Sequence, residues 1–133
     1  YTVTLKVTDN RGGTATVTTT VVIIPDRSYD VDVTQFTLTG KTEPRGKSGI
    51  AMIVVKDRLG RVMPGVTVAV TWSGLVSGRV TAVTDANGQT VMQSSRTKKS
   101  GLLTATITTV TPTGGSAYDA TISPEVTVRE ISL

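Results

Sequence analysis

An all-β fold of two packed sheets is what this sequence predicts, and three observations carry the prediction. Valine and threonine recur in alternation; turn-like clusters of glycine, asparagine and aspartate interrupt that alternation at short, regular intervals; and no long stretch spaces its apolar residues at helical period. At 133 residues the chain has room for one sandwich of about 100 residues plus a remainder, and not for two full sandwiches. A unit of that size buries roughly two-thirds of its unfolded surface, so it needs no staple. With no cysteine, none is available as a disulfide.

The remainder comes first. Tyr1, Val3, Leu5 and Val7 alternate with Thr2, Thr4, Lys6 and Thr8, as a half-buried strand requires. Asp9 to Gly13 reads as a turn whose glycines supply positive φ, and Ala15, Val17, Val21 and Ile23 continue the apolar face, with Thr19 interrupting. Pro25 stops the ladder. A two-stranded hairpin is marginal alone in water, so residues 1–24 are expected to pack on strands that they do not contain, from upstream or from another copy. Residues 25–33 read as a short polar linker, brief enough to hold its neighbours in near-tandem orientation.

The second unit spans 34–133. Thr34–Thr39 alternates with Phe36 and Leu38 inward, and 40–49 reads as a loop. Ile50–Asp57 is apolar on both sides, which predicts a central strand covered on both faces or pressed against a neighbour. Arg58–Gly60 turns the chain, and Gly65–Trp72 alternates again. Arg79–Thr84 and Gln89–Ser94 flank Asp85–Gly88, whose Asn-Gly pair signals a hairpin. Leu102–Thr111 and Glu125–Ile131 close the sheets, and Tyr118–Ala120 reads as a short edge segment.

Much chemistry is excluded by composition. Without His or Cys the chain has no Ser-His-Asp or Cys-His machinery and lacks the commonest transition-metal ligands. Its acids sit in turns, in the linker or on outward strand positions, and no phosphate loop, nucleophile elbow or dinucleotide fingerprint appears, so catalysis is not expected. Calcium is the one metal for which hard oxygen ligands are on offer, at Asp26, Asp30 and Asp32 and more thinly at Asp9/Asn10 and Asp85/Asn87; turn Asx residues are ordinary without it. The longest apolar runs, Ile50–Val55 and Val21–Ile24, fall far short of a membrane span. No charged-then-apolar leader opens the sequence, which suits a mature or internal segment.

The net charge of +4 lies in the second unit, gathered at Lys41/Arg45/Lys47, Lys56/Arg58/Arg61 and Arg96/Lys98/Lys99. None of these clusters holds an aromatic for base stacking, so nucleic acid is not the expected partner; solvated loop tips, or contact with anionic polysaccharide or a cell surface, are. Trp72 reads as a core-sealing ring, with a sugar-stacking platform as the alternative for Trp72 and Tyr118. The threonine rows 14/16/18/20 and 104/106/108 read as sheet-stabilising pairs, with an ice-binding or glycan-binding surface as the alternative.

Two resemblances follow from particular residues. Tyr1-x-Val3-x-Leu5-x-Val7-x-Asp9 with Gly12-Gly-Thr-Ala15 resembles the end of a PKD repeat, the immunoglobulin-like module named for polycystic kidney disease proteins. The resemblance implies that Tyr1 is a tyrosine-corner residue of that core. Val54–Asp57, Gly60, Val62, Pro64–Val66, Thr84–Gly88, Ser100-Gly101 and Leu103–Ile107 are similar to a bacterial immunoglobulin-like domain of the invasin and intimin kind; they also resemble the C-terminal sandwich units that follow PKD repeats, with Trp72–Gly74 and Tyr118-Asp119 as additional matches. Together they imply an immunoglobulin-like β-sandwich preceded by a partial PKD-type sandwich. They also imply a spacer, adhesin stalk or accessory unit of an exported protein, extracellular or at the cell surface. Neighbouring immunoglobulin-like domains in cis, or identical subunits in trans as in a fibre, are the partners such units take.

Overall fold

The protein is described here by a computed structural model covering residues 2–20, 30–120 and 127–133. Strands β1 (Thr2–Thr8) and β2 (Thr14–Thr20) form an antiparallel hairpin, a two-stranded sheet of its own. Its register sets Val3 opposite Thr19, Leu5 opposite Val17 and Val7 opposite Ala15, so the apolar residues share one face and the threonines line the other. Every residue of both strands is exposed, Leu5 at 62% and Val17 at 63%. Tyr1, Val21 and Ile23, expected on the same apolar face, lie outside the described residues, as does the linker up to residue 29.

Seven further strands build the second unit: β3 (Val31–Glu43), β4 (Gly46–Asp57), β5 (Thr67–Gly74), β6 (Gly78–Val83), β7 (Gln89–Gln93), β8 (Leu102–Thr111) and β9 (Val128–Ser132). They form two antiparallel sheets, β3-β4-β7 and β6-β5-β8-β9. One continuous core joins the two, with Val33, Phe36, Ile53 and Met92 from the first sheet meeting Val68, Val70, Trp72 and Leu103 from the second. The unit is therefore a β-sandwich. Arg129 of β9 donates from Nε to the Phe36 carbonyl at 2.9 Å, tying the facing edges of the two sheets.

Two bulges keep the inward pattern continuous. In β3 the register shifts between Val33 and Gln35, which lets Val31, Val33 and Phe36 all point inward despite the odd spacing. In the β5–β8 pair, Ala69 faces Thr109 while Val70 faces Ile107, so Thr108 is extra and Ile107 and Val110 both reach the core. Threonine hydroxyls serve both irregularities: Thr34 donates to the Val54 carbonyl at 3.4 Å, and Thr108 to that of Ala69 at 3.3 Å.

Four sequence expectations change. The sandwich begins inside the expected linker, because Val31 and Val33 are core residues of β3 rather than junction. The expected loop 40–49 is strand on both sides of a tip at Pro44-Arg45, with Glu43 paired to Gly46; a polar composition reads as loop, yet this hairpin projects past the core, where polar strands are stable. Strand β4 is central in its sheet, but among the described residues only one of its faces is covered by another layer: Ala51, Ile53 and Val55 are buried, while Ile50, Met52 and Val54 are half-buried beside cross-strand neighbours such as Thr37 and Val91. Finally, Asp85–Gly88 does not close a hairpin, since β6 pairs with β5 and β7 with β4. The chain crosses between sheets there, guided by Thr84 N–H donating to Val66 and Val55 N–H donating to Gly88.

Candidate functional site

The acids were the first candidates for chemistry, and three of them perform one structural task. Asp9-Asn-Arg-Gly12, Asp57-Arg-Leu-Gly60 and Asp85-Ala-Asn-Gly88 form the same turn. In each, the aspartate Oδ1 accepts the backbone N–H groups two and four residues on: Arg11 and Gly13 at 2.8 and 2.7 Å, Leu59 and Arg61 at 2.9 and 3.0 Å, Asn87 and Gln89 at 2.8 and 3.0 Å. The glycine of each has φ between 68° and 83°, which side chains rarely tolerate. These carboxylates are thus occupied by their own loops. The D-x-x-G spacing was visible in the sequence three times, and its repetition was the signal that a turn-by-turn reading missed.

Around the start of β3, the segment after Gly115 lies alongside Val31. Val31 bridges Tyr118 in parallel, Val31 N–H donates to the Ala117 carbonyl at 2.8 Å, and Asp119 N–H donates to that of Val31 at 2.9 Å. Asp30 accepts the Ala117 N–H at 3.1 Å, and the buried Asp32 accepts that of Val33 at 2.7 Å and the Tyr118 hydroxyl. Partial burial, then the neighbouring Asp32 charge, raise the Tyr118 hydroxyl above its ordinary pKa. Arg58 closes the cluster with an ion pair to Asp119. Of the calcium candidates, Asp30 and Asp32 therefore bind protein donors, and Asp26 lies outside the described residues. Among those residues no group of three or more acidic side chains comes together to hold a metal ion.

The aromatic candidates separate. Trp72 is 2% exposed and sits in the core, so a ring sealed between two sheets offers no face to a sugar, and the platform reading does not apply to it. Tyr118 stays 36% exposed and borders a groove of about 310 Å³ with Thr109, Thr111 and Val110.

The basic clusters separate too. Lys56/Arg58/Arg61 lies at the end of β4 where aspartates gather, with Arg61 Nε 2.7 Å from Asp57 Oδ2. The other two meet at the opposite end of the sandwich: Lys47 N–H donates to the Thr97 carbonyl at 2.7 Å, Thr97 N–H donates back at 2.9 Å, and Lys47 Nζ reaches Ser100 Oγ at 3.0 Å. Glu43 lies between them, 2.7 Å from Lys41 Nζ and 2.5 Å from Arg96 Nε. The hydrogen bond from Lys41, assisted by the Arg96 charge and opposed by desolvation, holds its carboxyl below the ordinary value.

Among the described residues no helix is long and apolar enough to cross a membrane. Comparison with protein-family models, curated proteins and solved structures finds no match.

Proposed function

We propose that this chain is a non-catalytic structural module of an exported prokaryotic surface or secreted protein, one that spaces and assembles neighbouring domains. In this reading the hairpin is the end of a PKD-type domain, the sandwich is immunoglobulin-like, and the hairpin is covered by strands of an adjacent domain in cis or of an identical subunit in trans. The observation that carries the reading is the contrast between the two units. The sandwich has a closed core, whereas the hairpin keeps Val3, Leu5, Val7 and Val17 exposed along one face. Such a face costs too much in water to stand uncovered, and head-to-tail cover between copies would propagate into a fibre.

Hydrogen exchange combined with solution mass tests this. The hairpin amides should exchange freely in the isolated monomer and become protected at least tenfold when strands are supplied, by a longer polypeptide or by self-association. The double variant Leu5→Lys/Val17→Lys should abolish that protection and leave the sandwich amides unchanged. A monomeric chain whose hairpin amides exchange slowly without any partner would sink the reading.

A carbohydrate-binding accessory role is the second reading, and it rests on Tyr118, half-exposed beside threonine hydroxyls in an open groove. Affinity electrophoresis in neutral polysaccharide gels should then show retardation that Tyr118→Ala reduces tenfold; equal mobility of the two proteins removes this reading.

A further inference from the structure

The tip of the sandwich carries more positive charge than the chain as a whole. Six cations, Lys41, Arg45, Lys47, Arg96, Lys98 and Lys99, gather at this end with Glu43, the one acidic side chain there among the described residues, whereas the net charge of all 133 residues is +4. Clusters about fifty residues apart in sequence are joined there by paired backbone hydrogen bonds between Lys47 and Thr97, so the patch belongs to the fold rather than to independent loops. Its backbone is fixed sterically as well. A Cβ at Gly46, whose φ is 137°, would stand 2.7 Å from the Thr97 carbonyl oxygen. Arg45, Lys98 and Lys99 are exposed and have no acidic partner among the described residues.

We infer that this tip is a docking surface for a linear anionic polysaccharide. A concentration of like charge on one end repels itself, and an external polyanion relieves that repulsion. A second copy of this chain is the poorer complement. The acids at its opposite end, Asp30, Asp32, Asp57, Asp85 and Asp119, are engaged by their own loops, by Tyr118 or by Arg58 and Arg61.

Nucleic acid is also the poorer fit. Among the described residues the tip holds no aromatic ring on which a base could stack: Phe36 and Trp72 are buried, and Tyr118 lies at the other end. Shape agrees with a sugar polymer. Glu43, Pro44, Arg45 and Arg96 line a shallow groove of about 260 Å³, below the roughly 300–1,000 Å³ of a drug-sized site. It takes one acidic sugar at a time while the flanking lysines meet its neighbours along the chain. Glu43 does not cancel the site, because Lys41 and Arg96 already neutralise it, and it anchors Arg96 beside the groove. This inference stands on the placement of charge around the groove and is separate from the spacer reading.

The test uses the chain as it is, titrated with polygalacturonate and with heparin at two salt concentrations, and with duplex DNA as competitor. The triple variant Arg45→Glu/Lys98→Glu/Lys99→Glu should weaken polysaccharide binding at least tenfold. A charge-matched control, Lys6→Glu/Arg11→Glu/Arg79→Glu, changes exposed cations elsewhere and should weaken it less than threefold. Circular dichroism and thermal unfolding establish that both variants remain folded. Equal losses in the two triples would overturn the proposal, since net charge rather than the tip would then set the binding. It also fails if the unmodified chain does not bind either polysaccharide, or if duplex DNA displaces them at tenfold lower charge concentration.

Discussion

Trp72→Ala should cost the sandwich about 3–5 kcal/mol, read as a lowered urea midpoint by circular dichroism. A domain of this size is stable by about 5–15 kcal/mol, so the variant sits near its unfolding threshold. The reason is packing. Trp72 is among the largest fully buried side chains, and its Cζ3 lies where Gly49 leaves space: a Cβ at Gly49 would come within 3.1 Å of that atom and 2.5 Å of Leu103 Cδ2. Removing the ring opens a cavity between sheets that close-packed neighbours fill only in part.

The companion Trp72→Phe should lose less than half as much. The indole Nε1 is buried without a hydrogen-bond partner among the described residues, and an unsatisfied buried donor costs about 1–3 kcal/mol. Phenylalanine gives up some volume but removes that donor. A loss below about 1 kcal/mol in Trp72→Ala would show that the ring does not seal the core.

The second large effect is at Asp57. Its carboxylate is buried and accepts the N–H groups of Leu59 and Arg61 as well as Arg61 Nε at 2.7 Å. Burial works against ionisation, but these donors and the Arg61 charge outweigh it, and the carboxyl is held below its ordinary value of 3.8. The unfolded chain therefore binds the proton more readily than the folded one. Stability from this group is complete above about pH 4 and is lost as pH falls through the lowered folded value.

Asp57→Ala should cost about 2–4 kcal/mol at neutral pH, because charge-assisted bonds are lost and the turn's N–H groups are left without their acceptor. Asp57→Asn keeps an acceptor for the backbone and loses the charge, so it should cost less. The stability gap between wild type and Asp57→Asn should narrow as pH falls below about 4, since the advantage of the wild-type carboxylate fades as it takes up a proton. Denaturation curves at several pH values measure this, and a gap that widens on acidification would contradict the assignment.

The residues explain why parts of this molecule could be read from sequence. Alternation is a property of neighbours along the chain, so the hairpin face of Val3, Leu5, Val7 and Val17, the inward Phe36 and Leu38, and the bounds of β8 were legible directly. The three D-x-x-G turns were equally local, since an aspartate reaching N–H groups two and four residues on needs nothing distant. What local pattern cannot encode is the partner. Asp85–Gly88 has hairpin chemistry, yet Val80 and Ala82 belong to one sheet and Met92 to the other, and competition among strands for buried neighbours decided the crossing. The apolar outer side of β4 invited a covering layer, but among the described residues it is flanked by the adjacent strands β3 and β7.

By itself, then, the sequence determined the all-β class, the facial segregation of the hairpin, the local turns and the absence of His and Cys chemistry. Each of these follows from residue type and spacing over a few positions. Only the tertiary structure decided that Trp72 is sealed between sheets, that Val31 and Val33 belong to the core rather than the linker, and that one basic cluster is matched by aspartates while two others merge at a tip. Those outcomes depend on contacts between residues tens of positions apart, whose pairing is selected by the burial and charge compensation of the folded chain as a whole.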